Sequence, residues 1–328
     1  MATAELCAFL PRTSGSSPRL GVVSSSSSSS SSSRLKLRSF EFQGHFLPAC
    51  LSHKQGSMQR RGSIGVARAV QVSTKGSAVD TEEWNKQARE TRLQHLEAQA
   101  LETIGKTVDS FERPAFPCAL IAGDVVILDL LHRAGVLKNE AVKIVFVDTF
   151  HLFPETYVFL AEVEKRYGFK AHVFHADGFN NKKEYEAKHG SDLFITDIDE
   201  YDRICKVEPF NRALETLNVD ATINGRRRDH GAERAHLEVV EAGAMAKIQP
   251  IAYWEFRDVW DYLQKYSLPY HPLHDQGFPS IGDVQTTLPV PRDKWFEYAG
   301  ERSGRFQGLK NADGTDKTEC GIHIEYNI

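Results

Sequence analysis

Two rhythms of apolar positions alternate along the chain. From about Thr81 to Ser110 a charged stretch carries Leu93, Leu96, Ala100 and Ile104 at three- and four-residue steps, which predicts one helix with one buried face. Then "CALIA" (118–122) is a short apolar run of the kind a buried strand makes, and "DVVILDLLHRAG" predicts a helix that stops at Gly135. "KIVFVDT" (143–149) predicts a second strand. "PETYVFLAEVEKRYG" predicts a helix with Pro154 in its first turn and Gly168 at its end. A third strand is expected in "KAHVFHA", a helix in "NKKEYEAKHG" and a strand in "LFIT". "DEYDRIC" and "PFNRALETL" follow as helices, "VDATING" and "KIQPIAYW" as strands, and "EFRDVWDYLQKY" as a helix with Val259, Trp260 and Leu263 on one face.

Strand–helix alternation of this kind predicts an α/β fold: a mainly parallel sheet with helices on both faces. Such sheets take ligands in the crevice beyond the carboxyl ends of their strands. The stretch from about Pro269 is rich in Pro, Gly and charge and is expected to form loops and a tail crossing the surface. No internal repeat is visible.

Composition divides the chain. Residues 1–78 hold ten Lys or Arg against only Glu5 and Glu41, together with an unbroken run from Ser24 to Ser33. A basic, serine-rich, acid-poor leader predicts an organelle transit peptide and hence the plastid (chloroplast) stroma; a disordered low-complexity tail is the alternative. Residues 79–328 are then one catalytic domain of about 250 residues, with a C-terminal tail from about residue 300. The leader carries +8, so the stated net charge of −4 leaves −12 on the domain. An acidic domain is a poor nonspecific binder of nucleic acid. No stretch approaches the ~20 apolar residues of a membrane span.

Cysteines narrow the chemistry. Cys7 and Cys50 fall in the leader, leaving Cys118, Cys205 and Cys320. There is no CxxC and no zinc spacing, so a reducing compartment and no bound metal are expected. Cys118 reads as an inert core thiol. Cys320 sits near the end of the chain in "KTECGIH", where a thiol has little core to join.

The strand ends supply an anion site. Gly123 and Asp124 open a helix after the first strand, where backbone amides can meet an anion, though a plain turn and an N-cap would use the same residues. Asp148 and Thr149 close the second strand, with a strand-end cap as the alternative reading of Asp148. Gly225 and then Arg226, Arg227 and Arg228 follow "DATIN", and guanidinium groups grip phosphate or sulfate in bidentate fashion. Lys206, Lys247, Arg302 and Arg305 add positive charge. A thiol beside such cations is expected to have a lowered pKa.

With these motifs in place, the chain resembles the sulfonucleotide reductases, which act on adenylylsulfate (APS) or phosphoadenylylsulfate (PAPS), and most of all their plant-type APS branch. The resemblance spans about residues 88 to 325 and is carried by "DTFHLFPETY", "KVEPFNRAL", "NGRRRDHG", "LPYHPLHDQGFPSIGD" and the terminal "KTECGIH". It implies that Cys320 is a nucleophile that attacks the substrate sulfur, releases AMP or its 3′-phosphorylated form, and becomes a thiosulfonate. It further implies that His323 lies near the phosphosulfate, that Lys206, Arg227, Arg302 and Arg305 bind phosphate and sulfate, that Gly123 and Asp124 stand in the phosphate loop, and that Asp148 and Thr149 hold the nucleoside. A homodimer is left open.

The sequence departs from that family in three ways. Positions where the APS branch holds a [4Fe–4S] cluster read Tyr201, Asp202, Asp283 and Thr286, so no cluster is expected. Apolar "LIAGD" replaces a serine-rich phosphate loop. The sequence ends at Ile328 without a fused thioredoxin-like domain, so external thioredoxin or glutathione/glutaredoxin is the expected reductant. Two other readings stay open: an ATP pyrophosphatase or adenylyltransferase of the same fold, and a non-catalytic nucleotide-binding regulator.

Overall fold

A computed structural model describes residues 80–324, all within one compact unit, Thr74–Ile328. The expected leader lies outside the described residues. Helix α1 (Thr81–Ser110) starts where the Asp80 carboxylate accepts hydrogen bonds from the Glu82 and Glu83 amides at 3.1 and 3.0 Å. The predicted stripe of Leu93, Leu96, Ala100 and Ile104 is its buried face.

The rest of the chain alternates as expected. In order come β1 (Pro114–Pro117), α2 (Ala122–Arg133), β2 (Lys143–Asp148), α3 (Pro154–Tyr167), β3 (His172–His175) and α4 (Lys182–His189). Next are two short helices, α5 (Leu193–Thr196) and α6 (Ile198–Asp202), and a π-helical turn at Arg203–Val207 that leads into α7 (Glu208–Thr216). Then follow β4 (Ala221–Ile223), β5 (Val240–Glu241), β6 (Ala246–Ile248), α8 (Phe256–Lys265), a series of 3₁₀ turns and the terminal turn α9 (Gly321–Ile324).

The strands form one sheet in the order β3-β2-β1-β4-β6-β5, parallel except for the β5–β6 pair. The period of two decides which side chains go to which face. Ile144 and Phe146 of β2 join Phe116, Ala221 and Ile223 in the large core under α1, α2, α3 and α8. Val145 and Ala115 point to the opposite face and pack against Phe210, Ala213 and Leu214 of α7. Among the described residues no helix is long and apolar enough to cross a membrane.

Four expectations are corrected. "CALIA" is not the first strand: pairing ends at Pro117, the Cys118 amide makes one more bond to the Val145 carbonyl at 2.9 Å, and Leu120 turns the chain at a φ of 64° into α2. "LFIT" is the short helix α5, because the Asp192 carbonyl accepts from the Ile195 and Thr196 amides; an apolar run this short carries no period to distinguish the two. Of "KIQPIAYW" only the start is strand, since Pro250 cannot donate to a ladder. The stretch after Pro269 is no surface tail: it buries His271, His274, Ile281, Asp283, Trp295 and Phe306.

Asp258 ties α1 to α8. Its carboxylate accepts from the Glu255 amide at 2.8 Å, closing the start of α8, and grips Arg92 of α1 through two bonds of 2.9 and 2.8 Å. Asp258→Ala should lower the unfolding free energy by about 1–2 kcal/mol, the usual cost of a lost cap with a charge-assisted contact. A shift of the urea midpoint at unchanged slope is the measure.

Candidate active site

The carboxyl ends of β1, β2 and β4 open into one pocket, lined among others by Ala119 and Asp124, Thr149, and Asn224 to Arg226. β1 has β2 on one side and β4 on the other, so the pocket lies at the carboxyl strand ends, as the sequence predicts, and at the point where the strand order reverses. The segment after Pro269 forms the far wall through Ser280 to Asp283 and Arg302 to Phe306, with Cys320 and Ile322 against it.

Asp124 lines the pocket and braces its loop. Its carboxylate accepts from the Ala119 amide at 2.7 Å, and burial lifts its pKa to about 7. It sits inside the first turn of α2 and caps no helix end, since the cap position is Ile121. The loop after β4 passes so close that a Cβ on Gly225 would stand 2.6 Å from Asp124 Oδ1. Gly123 is turned away from the pocket, and a Cβ there would meet Arg227 Nη1 at 3.2 Å, so packing is its role. Asp148 also stays out of the lining. It accepts from the Phe150 amide at 2.8 Å and the Tyr157 hydroxyl at 2.7 Å, which is the strand-end cap. Thr149 lines the pocket and donates its hydroxyl proton to Asp283 at 2.5 Å.

The cations are not alike. Arg227 is 0 % exposed and lies behind the pocket wall, bonded to Asp229 and Glu301. This corrects its expected place on the anion: its guanidinium neutralises buried carboxylates. Lys206 does line the pocket, yet its ammonium is bridged by Asp202 at 2.7 Å and Asp283 at 2.9 Å, which hold it charged by raising its pKa. Arg305 lines the pocket, makes a long 3.4 Å contact from its Nη1 to the Ser280 hydroxyl, and has a buried Nε without a hydrogen-bond partner among the described residues. Arg302 lines it too and donates to the Thr318 carbonyl at 2.8 Å. Lys247 is not in the lining.

Two further arginines line the pocket, Arg226 from the predicted anion-gripping run and Arg234, which the sequence reading missed. Arg226 reaches the pocket while paired with Glu241 at 3.2 Å. Arg234 lines it and holds both oxygens of Glu319 at 2.5 Å. Its Nη1 also donates to His230 Nδ1 at 2.8 Å, and His230 Nε2 faces Glu301 at 3.0 Å. Burial and Arg227 push the His230 pKa down to about 3, so the ring is neutral with its proton on Nε2. The signal for Arg234 was an arginine in "GAERAH" and a carboxylate next to the terminal cysteine.

Cys320 is brought into this pocket by charges on either side. Lys317 pairs with Asp199 at 2.9 Å and Asp202 at 3.0 Å, and Glu319 takes Arg234 and Arg302. The Gly321 amide donates to Asp202 Oδ2 at 2.9 Å, and a Cβ on Gly321 would stand 2.7 Å from Val207 Cγ2, so glycine is what fits against the π-helical turn. The expectation of a lowered thiol pKa is overturned. Burial first, then Asp202, push the Cys320 pKa up and outweigh the opposing pull of Lys206 and Arg302. Cys118 lines the pocket floor, with its pKa pushed well up by burial and Asp124; Cys205 is buried beyond it. The side chain of His323 lies outside the described residues.

The four positions where the cluster-bearing branch has thiolates do not suit an iron–sulfur cluster. Asp202 and Asp283 offer hard carboxylate oxygens, and both are already engaged by the Lys206 ammonium, which also lies 5.0 Å from the centre of the Tyr201 ring. Among the described residues no group of three or more His, Cys, Asp or Glu could hold a metal ion.

A parallel sheet with an arginine-rich crevice and a thiol set against it defines an α/β nucleotide-binding fold adapted to an anionic ligand. The chain belongs to the phosphoadenosine phosphosulfate reductase domain family, which matches residues 113–289. It is 39% identical over 202 residues to the phosphoadenosine phosphosulfate reductase of Emericella nidulans, covering 61% of this chain and 62% of that protein. It is 40% identical over 215 residues to the phosphoadenosine 5′-phosphosulfate reductase of Xanthomonas campestris, covering 65% of this chain and 82% of that one. Among solved structures it resembles a phosphoadenylyl-sulfate reductase from Candida auris in a phosphate complex, with 31% identity, a TM-score of 0.52, and coverage of 60% of this chain and 96% of that one.

Two outcomes follow from the charges. Arg227→Met leaves Glu301 buried beside a neutral side chain and should cost about 3–5 kcal/mol of stability in urea titrations, the range for one broken buried pair. For Cys320, a raised thiol stays protonated to higher pH. Its alkylation rate with iodoacetamide should therefore still be climbing above about pH 10, where an ordinary thiol of pKa about 8.5 has levelled. A plateau at or below about pH 8.5 would contradict the balance of charges described above.

Proposed function

We propose that the chain reduces a sulfonucleotide to sulfite with electrons from an external dithiol, through a thiosulfonate on Cys320. The observation that carries this reading is the seating of Cys320 in the wall of a pocket shared with Lys206, Arg302 and Arg305. The Cys320 sulfur attacks the sulfate sulfur as its thiol proton passes to solvent. An S–S bond forms, the sulfate S–O bond to phosphate breaks, and AMP leaves with the electron pair. Cations beside the leaving phosphate stabilise the charge it gains. A thiol of thioredoxin or a glutathione/glutaredoxin system then attacks Cys320 Sγ, sulfite departs, and a second thiol resolves the mixed disulfide. The dithiol is oxidised by two electrons and the sulfur is reduced by two. The plastid stroma as the setting belongs to the same proposal.

Adenylylsulfate is the preferred substrate in this reading. Lys206, Arg226, Arg234 and Arg302 each have a carboxylate partner, while the ion pairs give Arg305 none. A pocket so neutralised favours the less charged of the two sulfonucleotides. The names of the relatives favour the 3′-phosphorylated one. Sulfite release from each substrate with excess thioredoxin separates the two.

The chemistry itself is tested at Cys320. Cys320→Ser should abolish sulfite formation from both substrates, because a hydroxyl is a far weaker nucleophile at neutral pH and cannot form a thiosulfonate. Wild-type protein given substrate without reductant should gain one SO₃ on the C-terminal peptide, removed by added dithiol. Sulfite production by Cys320→Ser near the wild-type rate would favour a nucleotide-activating enzyme instead.

A further inference from the structure

The Lys206 cluster does more than neutralise charge. Asp202 is 1 % exposed and has both oxygens committed. Oδ1 holds Lys206, a pocket cation, at 2.7 Å. Oδ2 holds the segment around Cys320 twice, by the Lys317 ammonium at 3.0 Å and by the Gly321 amide at 2.9 Å. Lys317 is itself buried, and Asp199 one turn earlier on α6 supports it at 2.9 Å. Carboxylate-to-ammonium contacts away from water are among the stronger hydrogen bonds. One carboxylate therefore meets both the anion pocket and the residues on either side of the thiol.

We propose that Asp202, acting through Lys317 and the Gly321 amide, is a positioning residue that seats the Cys320 segment against the pocket. The inference rests on Cys320 being the nucleophile, but its main test needs no turnover. The clamp keeps the thiol against the wall and limits its access to reagents. Breaking it from either side should expose Cys320. Electrostatics alone makes a different forecast. Removing the Asp202 charge would make the thiol easier to ionise, while removing Lys317 would leave Asp202 less neutralised and make it harder.

The rate of Cys320 alkylation by iodoacetamide and by a bulky maleimide, followed on the C-terminal peptide at fixed pH, distinguishes these. Asp202→Asn and Lys317→Met should each raise the rate by about tenfold or more, the scale of one charge-assisted contact. The larger reagent should gain more. The double variant should gain less than the product of the two singles, because they share the Asp202–Lys317 ion pair. Lys317→Arg should stay near wild type. In sulfite assays Lys317→Met should lower kcat with little change in KM, since Lys317 does not line the pocket. Alkylation rates within about twofold of wild type in both variants would overturn the proposal, as would acceleration by Asp202→Asn with slowing by Lys317→Met. If Asp202→Asn does not fold, Lys317→Met decides alone. A wild-type protein that yields no sulfite, yet shows both accelerations, would sink the reductase reading and leave the clamp standing.

Discussion

The Lys206 ammonium between Asp202 and Asp283 is the interaction on which the site depends. All three are buried, and an isolated charge in such a place would cost several kcal/mol. They come from two segments far apart in sequence: the π-helical turn region before α7, and the stretch that closes over the sheet edge after α8. The three charges can be buried together only if the far wall of the pocket is in place. Thr149 from the end of β2 completes the set by donating to Asp283. Pocket assembly and charge neutralisation are therefore one event, and removing Lys206 strips Asp283 of its ion-pair partner while Asp202 keeps Lys317.

The same logic explains why so many basic residues give so little free positive charge. Arg234 and Arg302 share Glu319, Arg226 takes Glu241, and Arg227 takes Asp229 and Glu301. Each pairing offsets a desolvation cost that the arginine would otherwise carry alone. A mostly neutralised pocket retains donors for an anion, because guanidinium groups have five N–H donors and a single carboxylate does not use them all. What it loses is indiscriminate attraction, in keeping with an acidic domain whose anion site is local.

Much of the fold was legible in the sequence, since it rests on local periods. α1 was readable from four apolar residues on one face, and α3 and α8 from stretches long enough to show a period, while β2 was placed from an apolar run and its position between helices. "CALIA" and "LFIT" failed because runs of four or five apolar residues show only that a segment is buried. The pocket's place at the strand ends was readable from topology. The roles of its cations were not. Arg226, Arg227 and Arg228 are adjacent, yet one lines the pocket, one is sealed behind it and one pairs with Glu238. Nothing in a run of three arginines says which carboxylates from Glu238, Glu241 or Glu301 will reach them.

The direction of the Cys320 shift has the same origin and carries the argument furthest. Sequence places cations near the thiol; the fold places carboxylates there as well, because Asp202 and Glu319 are what hold the segment down. Seating a nucleophile with acids and activating it with bases are opposed demands on the same few ångströms. Here burial and the acids outweigh the cations, and the thiol pKa is pushed up. In the proposed reaction, activation comes as the S–S bond forms, when Lys206 and Arg302 meet the negative charge growing on the leaving phosphate. Interactions that strengthen only as the bond forms lower the barrier without demanding a reactive thiolate beforehand. That suits a cysteine whose segment is held by acids in a pocket where a free thiolate would be open to oxidation.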